Sequence, residues 1–303
     1  MQQSHLSRRT FLVGAVSLIP AFRAAAAQTA AVPVFGEDAR FAAIEKQVTG
    51  RLGVAALDTA SGRHIGHRVT ERFPLCSTFK FLAVAAVLKR VDSGQETLDR
   101  RVVYSHADLL EYAPITRQHV QEGGMTVSAL CAAAIEYSDN TAANLLLQSI
   151  GGPGAIGRYA ATLGDGVTRL DRTEPTLNEA APGDPRDTSS PAAMLGNLQA
   201  ILLGKALSPA SLQNIQAWLI ANTTGGSRLR AGLPADWRVG DKTGTGEHGA
   251  TNDIAILWPP GRPPILVAAY LTDSAAPAAE RGEALAEVGR VIARLFPGSG
   301  QHG

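Results

Sequence analysis

The chain has 303 residues, 45% of them hydrophobic, which is long enough for one large core or two lobes. Its 28 basic and 27 acidic residues leave a net charge of +1. This balance excludes a general electrostatic attraction to nucleic acid or to an anionic membrane, so we expect neither as a partner.

The N-terminal segment has the ordered pattern of an export signal. Arg8 and Arg9 form a twin-arginine pair, an apolar stretch follows over 13–22, and alanines over 24–27 offer a cleavage site. The apolar stretch is shorter than the ~20 residues that span a bilayer. We therefore predict a twin-arginine signal over about 1–27, a periplasmic location and a mature chain free of the membrane.

Hydrophobic spacing and turn residues predict the elements that follow. The predicted helices cover 38–48, 77–91, 127–138, 141–150, 191–203, 208–220 and 278–295. The predicted strands cover 52–58, 237–242, 254–258 and 265–270, and 59–62 is typical of a hairpin turn.

Strands therefore lie near both ends of the chain, and helices lie between them. Because connections within a sheet are usually short, the long helical insertion implies a second lobe. We predict an α+β fold of two lobes. An antiparallel five-stranded sheet with flanking terminal helices is formed by 28–69 and 222–303, and an all-helical domain covers 70–221. The cleft between the lobes is the expected site.

The first candidate for chemistry is Ser77, which opens the helix predicted over 77–91 in the string S-T-F-K. Lys80 lies one turn later on the same face, within reach of the serine hydroxyl. A serine becomes nucleophilic when a base takes its proton, and a lysine whose pKa is lowered by burial can be that base. The helix N-terminus also offers a backbone N–H to a developing oxyanion. Taken alone, the spacing is more typical of an N-capping serine beside a solvated lysine.

Further motifs accompany this string in a fixed order. S-D-N lies at a predicted helix break over 138–140, R-T-E-P-T-L-N lies in a loop over 172–178, and K-T-G follows over 242–244. S-x-x-K, S-D-N and K-T-G together are shared by class A β-lactamases and penicillin-binding proteins. On these motifs the chain resembles the class A serine β-lactamases over about 38–295.

The resemblance implies the serine β-lactamase and D,D-peptidase fold, and an enzyme that hydrolyses penicillins and cephalosporins and confers resistance. It implies that Ser77 is the nucleophile, Lys80 a proton carrier beside it, and Ser138 a relay that passes a proton to the lactam nitrogen. It also implies that Asn140 contacts the side-chain amide of the substrate.

The same resemblance assigns the K-T-G strand to the substrate carboxylate. Lys242 and Thr243 help to hold that carboxylate, and the backbone N–H of Thr245 completes the oxyanion hole with that of Ser77.

Glu174 and Asn178 separate the lactamases from their relatives. Both match the family positions that hold a water against the acyl-enzyme carbonyl, and the resemblance implies that Glu174 deprotonates that water. A D-Ala-D-Ala peptidase or a non-turnover penicillin sensor would share the other motifs but lack this pair. Whether Lys80 or Glu174 activates Ser77 during acylation stays open.

The resemblance assigns further residues around the cleft. The family's usual carboxylate-binding arginine is replaced by Thr251, and Arg228 matches the alternative arginine of another subset, so we expect Arg228 to bind the carboxylate. Tyr112 matches an aromatic residue at the cleft mouth, and Glu247 flanks the opposite edge.

The loop over 172–187 is expected to be an Ω-type loop. The resemblance implies an ion pair between Arg172 and Asp187 at its neck, and a cis bond between Glu174 and Pro175.

Two cysteines in an exported protein make one disulfide conceivable. Many relatives bridge the position of Cys131 to a site that here is Val84, and some bridge the position of Cys76 to a site that here is Gly246. Because neither partner is a cysteine, we expect two free thiols.

Other patterns do not point to a cofactor. A dinucleotide site needs a strand before its G-x-G-x-x-G string and a helix after it. The string over 152–157 follows a predicted helix, and the string over 244–249 precedes a predicted strand, so we interpret both as turns. His64 and His67 face opposite sides of a predicted strand. We therefore expect no metal and no cofactor. On the family resemblance, we expect a small β-lactam as the substrate, and we also expect a monomer.

Overall fold

A computed structural model describes residues 1–2 and 33–298 of the chain. The predicted signal segment falls almost wholly outside these residues. The fold lies within the compact unit that begins at Val34.

The strands in chain order are β1 (Gly36–Glu37), β2 (Arg51–Asp58), β3 (Arg63–His67), β4 (Phe73–Pro74), β5 (Arg101–Val102), β6 (Met125–Thr126), β7 (Thr188–Ser189), β8 (Arg238–Thr245), β9 (Thr251–Trp258) and β10 (Ile265–Thr272). The α-helices are α1 (Ala39–Val48), α2 (Phe79–Asp92), α3 (Thr116–His119), α4 (Val127–Glu136), α5 (Asn140–Ser149), α6 (Gly154–Thr162), α7 (Pro191–Leu202), α8 (Pro209–Ile220) and α9 (Ala278–Leu295). Short 3₁₀ helices occur at Cys76–Thr78, His106–Asp108, Val120–Glu122, Thr176–Glu179 and Leu229–Gly232.

The main sheet joins strands from both ends of the chain in the order β1-β3-β2-β10-β9-β8. Its five long strands pair antiparallel, with Ala268 of β10 opposite Ala55 of β2 on one side and Ile254 of β9 on the other. The predicted α+β architecture with this antiparallel sheet is confirmed. The two-residue β1 adds an edge strand that pairs parallel to β3.

Both faces of the sheet are covered, which explains why the central strands β2, β9 and β10 are buried along almost their whole length. Successive residues alternate between the faces. Ala255 and Leu257 join a core with the terminal helices, represented by Phe41 of α1 and Leu285 of α9. Ile256 on the opposite face joins the core formed with the remaining helices.

Helix α2 lies at the centre of the helical region. Its residues from Phe79 to Leu88 are all buried. A helix that is apolar around its whole circumference is typically enclosed by protein on every side. This position carries Lys80 into the interior, where its side chain is fully buried.

Several predicted boundaries shift in the structure. Strand β8 extends to Thr245, so K-T-G lies inside a strand. The helix predicted from Ser77 begins as a 3₁₀ turn before α2. The interpretation of 152–157 as a turn is wrong in part, because Gly154 begins α6, although α5 rather than a strand precedes it.

Among the described residues, no helix combines the length and the apolar composition that crossing a bilayer requires.

Candidate active site

A cleft of about 330 Å³ lies beside the end of β8. The residues that line it are Ser77, Tyr112, Ser138, Asn140, Asn178, Thr224, Arg228, Thr243 and Thr245. Eight of these are sequence-predicted site residues, and Thr224 is an addition. The other three predicted residues, Lys80, Glu174 and Lys242, are buried and contact residues of the cleft wall.

Ser77 lies in the 3₁₀ turn that leads into α2, and it is 8% exposed. Its hydroxyl Oγ donates to Glu174 Oε1 over 3.1 Å. A carboxylate that accepts from the serine hydroxyl can take its proton.

Lys80 occupies the position one turn after Ser77. Its ammonium Nζ donates to the backbone oxygen of Ser138 over 2.7 Å and to Asn140 Oδ1 over 2.6 Å, and it lies 3.0 Å from Glu174 Oε1. Burial lowers the pKa of Lys80 below its usual value, and the charge of Glu174 opposes that shift. Ser77 and Lys80 therefore meet at one oxygen of Glu174.

Glu174 is 3% exposed, and its two carboxylate oxygens have different partners. Oε1 faces Ser77 and Lys80, whereas Oε2 accepts from the amide of Asn178. The expected cis bond to Pro175 is present.

Asn144, which none of the sequence motifs includes, fixes the backbone of Glu174. Its side-chain amide donates to Glu174 O over 2.9 Å and accepts from Glu174 N over 3.0 Å. Asn144 lies four residues after Asn140 on α5, so both point toward the same side of that helix. This spacing is the signal that could have identified it.

Ser138 lies in the turn between α4 and α5 with a left-handed backbone, φ +58°. Asp139 holds that turn by accepting from the backbone of Ala142 and of Ile115, each over 2.9 Å. A non-glycine residue keeps this strained conformation only where the surrounding contacts hold it, and such positions are often functional sites.

The hydroxyl of Ser138 lies between two lysines. Lys242 Nζ donates to Ser138 Oγ over 3.0 Å, and Lys80 Nζ does so over 3.3 Å. Burial and the positive charges of Lys80 and Arg228 hold the pKa of Lys242 well below its usual value. Because an oxygen that accepts from ammonium groups keeps its own proton, Ser138 can donate that proton elsewhere.

Arg228 lies at the other end of the cleft. Its Nη1 donates to the backbone oxygens of Gly244 over 2.7 Å and Asn252 over 2.5 Å, and its Nη2 donates to Thr245 Oγ1 over 2.6 Å. Gly244 and Asn252 are paired opposite each other in β8 and β9. The guanidinium therefore contacts the strand ends and, through Thr245, the cleft.

A second arginine, which lies outside the sequence motifs, contacts Thr251, the residue that replaces the family arginine. Arg281 of α9 donates from Nε to Thr251 Oγ1 over 3.0 Å. No local pattern links two positions 30 residues apart, so this contact depends on the packing of α9 near β9.

Thr224 extends a hydrogen-bonded chain into the cleft. Its Oγ1 lies 2.5 Å from Thr243 Oγ1 and 2.8 Å from Asn222 Oδ1. Asn222 Nδ2 donates to Asp241 Oδ2 over 2.7 Å.

The mouth of the cleft carries the two predicted edge residues. Tyr112 is 51% exposed, and its hydroxyl donates to Tyr137 O over 3.2 Å. On the other edge, the backbone N–H of Glu247 donates to Asn178 O over 2.8 Å, which connects that edge to the loop that carries Glu174.

The predicted ion pair closes the Ω-type loop. Arg172 Nε lies 2.6 Å from Asp187 Oδ2, and Asp187 Oδ1 accepts from the backbone N–H groups of Asp171 and Arg172.

Both cysteines are free and buried. Cys76 precedes Ser77, and a β-carbon added at Gly246 would lie 2.7 Å from its Sγ. Within residues 1–2 and 33–298, no group of three or more His, Cys, Asp or Glu side chains could hold a metal ion.

Comparisons with known proteins agree with this geometry. A model of the "Beta-lactamase enzyme family" matches residues 38–296. Beta-lactamase L2 of Stenotrophomonas maltophilia is 49% identical over 302 residues, covering 96% of this chain and 99% of that protein. Beta-lactamase Toho-1 of Escherichia coli is 48% identical over 254 residues, covering 84% of this chain and 87% of that protein. The solved structure of an ancestral class A β-lactamase is 62% identical, with a TM-score of 0.84, and covers 85% of this chain and 99% of that chain.

Proposed function

Since this chain belongs to the class A β-lactamases, hydrolases of the β-lactam amide bond, we propose that it opens penicillins and cephalosporins through an ester on Ser77. Water then removes the ester with Glu174 as the general base. One observation carries the proposal: the Glu174 carboxylate contacts the Ser77 hydroxyl with one oxygen and Asn178 with the other.

Acylation forms a bond between Ser77 Oγ and the lactam carbonyl carbon. The serine proton moves to Glu174 or to Lys80, both of which are within the hydrogen-bonded cluster. The backbone N–H groups of Ser77 and Thr245 stabilise the oxyanion, and one such donor is typically worth ~10²–10³ in rate.

Cleavage of the lactam C–N bond requires a proton on the nitrogen. Ser138 supplies it, because its hydroxyl accepts from Lys242 and Lys80 and so keeps its own proton available. The lowered pKa of Lys80 and of Lys242 makes either amine able to restore the proton to Ser138.

Deacylation is a second acyl transfer, in which water is the nucleophile and Ser77 Oγ is the leaving group. Glu174 takes a proton from a water that Asn178 helps to hold, the water oxygen attacks the ester carbon, and Ser77 Oγ leaves with a proton. The contacts of Glu174 to both partners support this role.

Substrate binding uses the rest of the cleft. Lys242, Thr243 and Arg228, the last acting with Thr245, bind the substrate carboxylate, since an anion needs charge-assisted donors. Asn140 binds the side-chain amide, and Tyr112 packs at the mouth. These assignments rest on the cleft lining and on the family motifs.

We also propose that the protein is exported to the periplasm as a monomer, by the twin-arginine signal over about 1–27. There it meets β-lactams before they reach their targets.

The deciding experiment compares the wild type with Glu174→Gln. Each is mixed with a chromogenic cephalosporin, and turnover and intact mass are followed together. We expect steady turnover for the wild type and a trapped acyl adduct on Glu174→Gln, because the amide cannot take a proton from water. Glu283→Gln, on an exposed side chain of α9, should behave as the wild type.

A wild type that acylates once and stops would overturn the proposal in favour of a penicillin sensor. Release of D-alanine from a D-Ala-D-Ala peptide without lactam turnover would favour a peptidase.

A further inference from the structure

We propose that Asn252 is a positioning residue for the oxyanion hole, and that it sets the distance between the two N–H groups that form it. The inference rests on the proposed function, which assigns those N–H groups to Ser77 and Thr245. The two donors belong to different segments of the chain, the 3₁₀ turn before α2 and the end of strand β8. A contact between these segments must therefore hold the donors in place.

The backbone of Asn252 is joined to the strand that carries Thr245. Asn252 of β9 is paired opposite Gly244 of β8, which is the residue immediately before Thr245. Because ladder hydrogen bonds join the two strands, Thr245 follows any displacement of Asn252. Arg228 strengthens this junction by donating to the backbone oxygens of Gly244 and Asn252.

The side chain of Asn252 is joined to the segment that leads into Ser77. It lies on the same face of the sheet as Ile254, the face that packs on the helical core. Its Nδ2 donates to the backbone oxygen of Pro74 over 2.8 Å and to that of Leu75 over 3.2 Å. One residue thus connects the segment before the nucleophile with the strand of the second donor.

The two segments are in close contact at this point. A β-carbon added at Gly244 would lie 2.9 Å from Leu75 O and 3.1 Å from Asn252 Nδ2. At these distances either the backbone of Leu75 or the amide of Asn252 would have to move. The absence of a side chain at Gly244 therefore lets β8 approach the segment before Ser77 closely enough for the asparagine to bridge them.

An asparagine is an unfavourable choice for this position unless its amide has a role. Asn252 is 0% exposed, and its Oδ1 has no hydrogen-bond partner among the residues that the structure describes. A buried acceptor without a partner destabilises a fold, and an apolar side chain would avoid that cost. Nδ2 carries two protons, one for each of the two carbonyls. The contribution of Asn252 therefore lies in the segment that its Nδ2 holds.

Oxyanion stabilisation depends on the position of both donors. Acylation and deacylation each form a tetrahedral intermediate whose oxygen needs both N–H groups at hydrogen-bond distance. Without the amide of Asn252, the N–H of Ser77 can move relative to that of Thr245. Both steps should then slow together, and KM should change little because it depends on the ratio of their rate constants.

The test uses Asn252→Leu, which removes the amide and keeps the branched shape of the side chain. Hydrolysis of a penicillin is measured in the wild-type background. The infrared spectrum of the acyl ester is measured in the Glu174→Gln background, where we expect the ester to accumulate. The kcat should fall about 10–100-fold with little change in KM. The ester carbonyl band should move to a higher wavenumber, because N–H donors weaken the C=O bond and a displaced donor does so less.

The matched control is Asn197→Leu. Asn197 of α7 is 1% exposed, and its Nδ2 donates to Asp165 Oδ2 over 2.7 Å. Its Oδ1 is also buried without a partner within the described part of the chain, and Asn197 is not one of the residues that line the cleft. This variant should therefore lose stability but keep the wild-type kcat and ester band. If Asn252→Leu fails to fold, Asn252→Ala removes the same amide with less steric demand.

A lower kcat with the ester band at its original wavenumber would overturn the proposal, because Asn252 would then support the fold and not the oxyanion hole. An unchanged kcat would overturn it as well. If the wild type does not hydrolyse the penicillin, the proposed function itself is wrong. The two failures are therefore distinguishable.

Discussion

The carboxyl of Asp253 is fully buried near that of Asp241, on strand β9 beside the edge strand β8 of the main sheet. Its Oδ2 accepts from the backbone N–H of Leu229, whereas its Oδ1 has no hydrogen-bond partner within the described residues. Burial, followed by the negative charge of Asp241, raises the pKa of Asp253 well above its usual value. The folded protein therefore binds a proton at Asp253 that the unfolded chain releases at lower pH.

This proton gives a stability prediction for Asp253→Asn. Because the folded-state pKa is raised, the wild type loses stability as the pH rises from the unfolded pKa toward the folded one, and asparagine has no such loss. In that window, the free energy of unfolding of Asp253→Asn relative to that of the wild type should increase by up to about 1.4 kcal/mol for each unit that the pH rises. Urea unfolding between pH 4.5 and 8 measures the difference.

Asp236→Asn is the matched control, because Asp236 is exposed in the turn before β8. Its free energy of unfolding should follow that of the wild type across this pH range. A difference between Asp253→Asn and the wild type that is constant with pH would mean that Asp253 binds no extra proton.

At the scale of elements, α5 connects the two halves of the proposed reaction. Its first turn places Asn140 against Lys80, and its second turn places Asn144 against the backbone of Glu174. One helix thus contacts both Lys80 and Glu174 and helps to set the distance between them beside Ser77.

Asn144→Leu should separate these functions. The substitution leaves Glu174 N and O without their side-chain partners, so the carboxylate loses its fixed position relative to the ester. We expect deacylation to slow about 10–100-fold and the acyl-enzyme to accumulate, since misplacement by about 1 Å has effects of this size. Pre-steady-state burst amplitude and intact mass measure both.

Gln148→Leu, one turn later on the exposed side of α5, provides the comparison and should keep the wild-type rates. Equal slowing of acylation and deacylation in Asn144→Leu would indicate general damage to the cleft instead of a specific effect on Glu174.

At the scale of the whole molecule, the sequence predicted what depends on periodicity and on motifs. The long strands, the terminal helices and α2 follow from apolar spacing, and four short strings located most of the cleft lining. Helix α6 was not predicted, because Gly154 and Gly157 are poor helix formers and obscure the helical spacing of its apolar residues. Arg281 and Thr224 were not predicted because their contacts depend on side-chain directions between elements that are distant in sequence.

The twin-arginine pair, which lies outside the described residues, gives a prediction for the whole cell. If export depends on Arg8 and Arg9, replacing both with lysine should keep the protein in the cytoplasm, because the signal is read by a receptor rather than by charge alone. Cells that carry this variant should lose lactamase activity in the periplasmic fraction and keep it in the lysate. Lys46→Arg, outside the signal, should leave the distribution unchanged.

Arg228, which we propose binds the substrate carboxylate, also holds two strands together, and one guanidinium performs both roles. The guanidinium that faces the substrate end of the cleft also bonds the opposed carbonyls of Gly244 and Asn252, and thereby fastens the rim of the sheet. A variant that moves this positive charge to another position would also need new donors for the carbonyls of Gly244 and Asn252. Substitution of Arg228 should therefore be tolerated less well than substitution of a residue whose only role is to bind substrate.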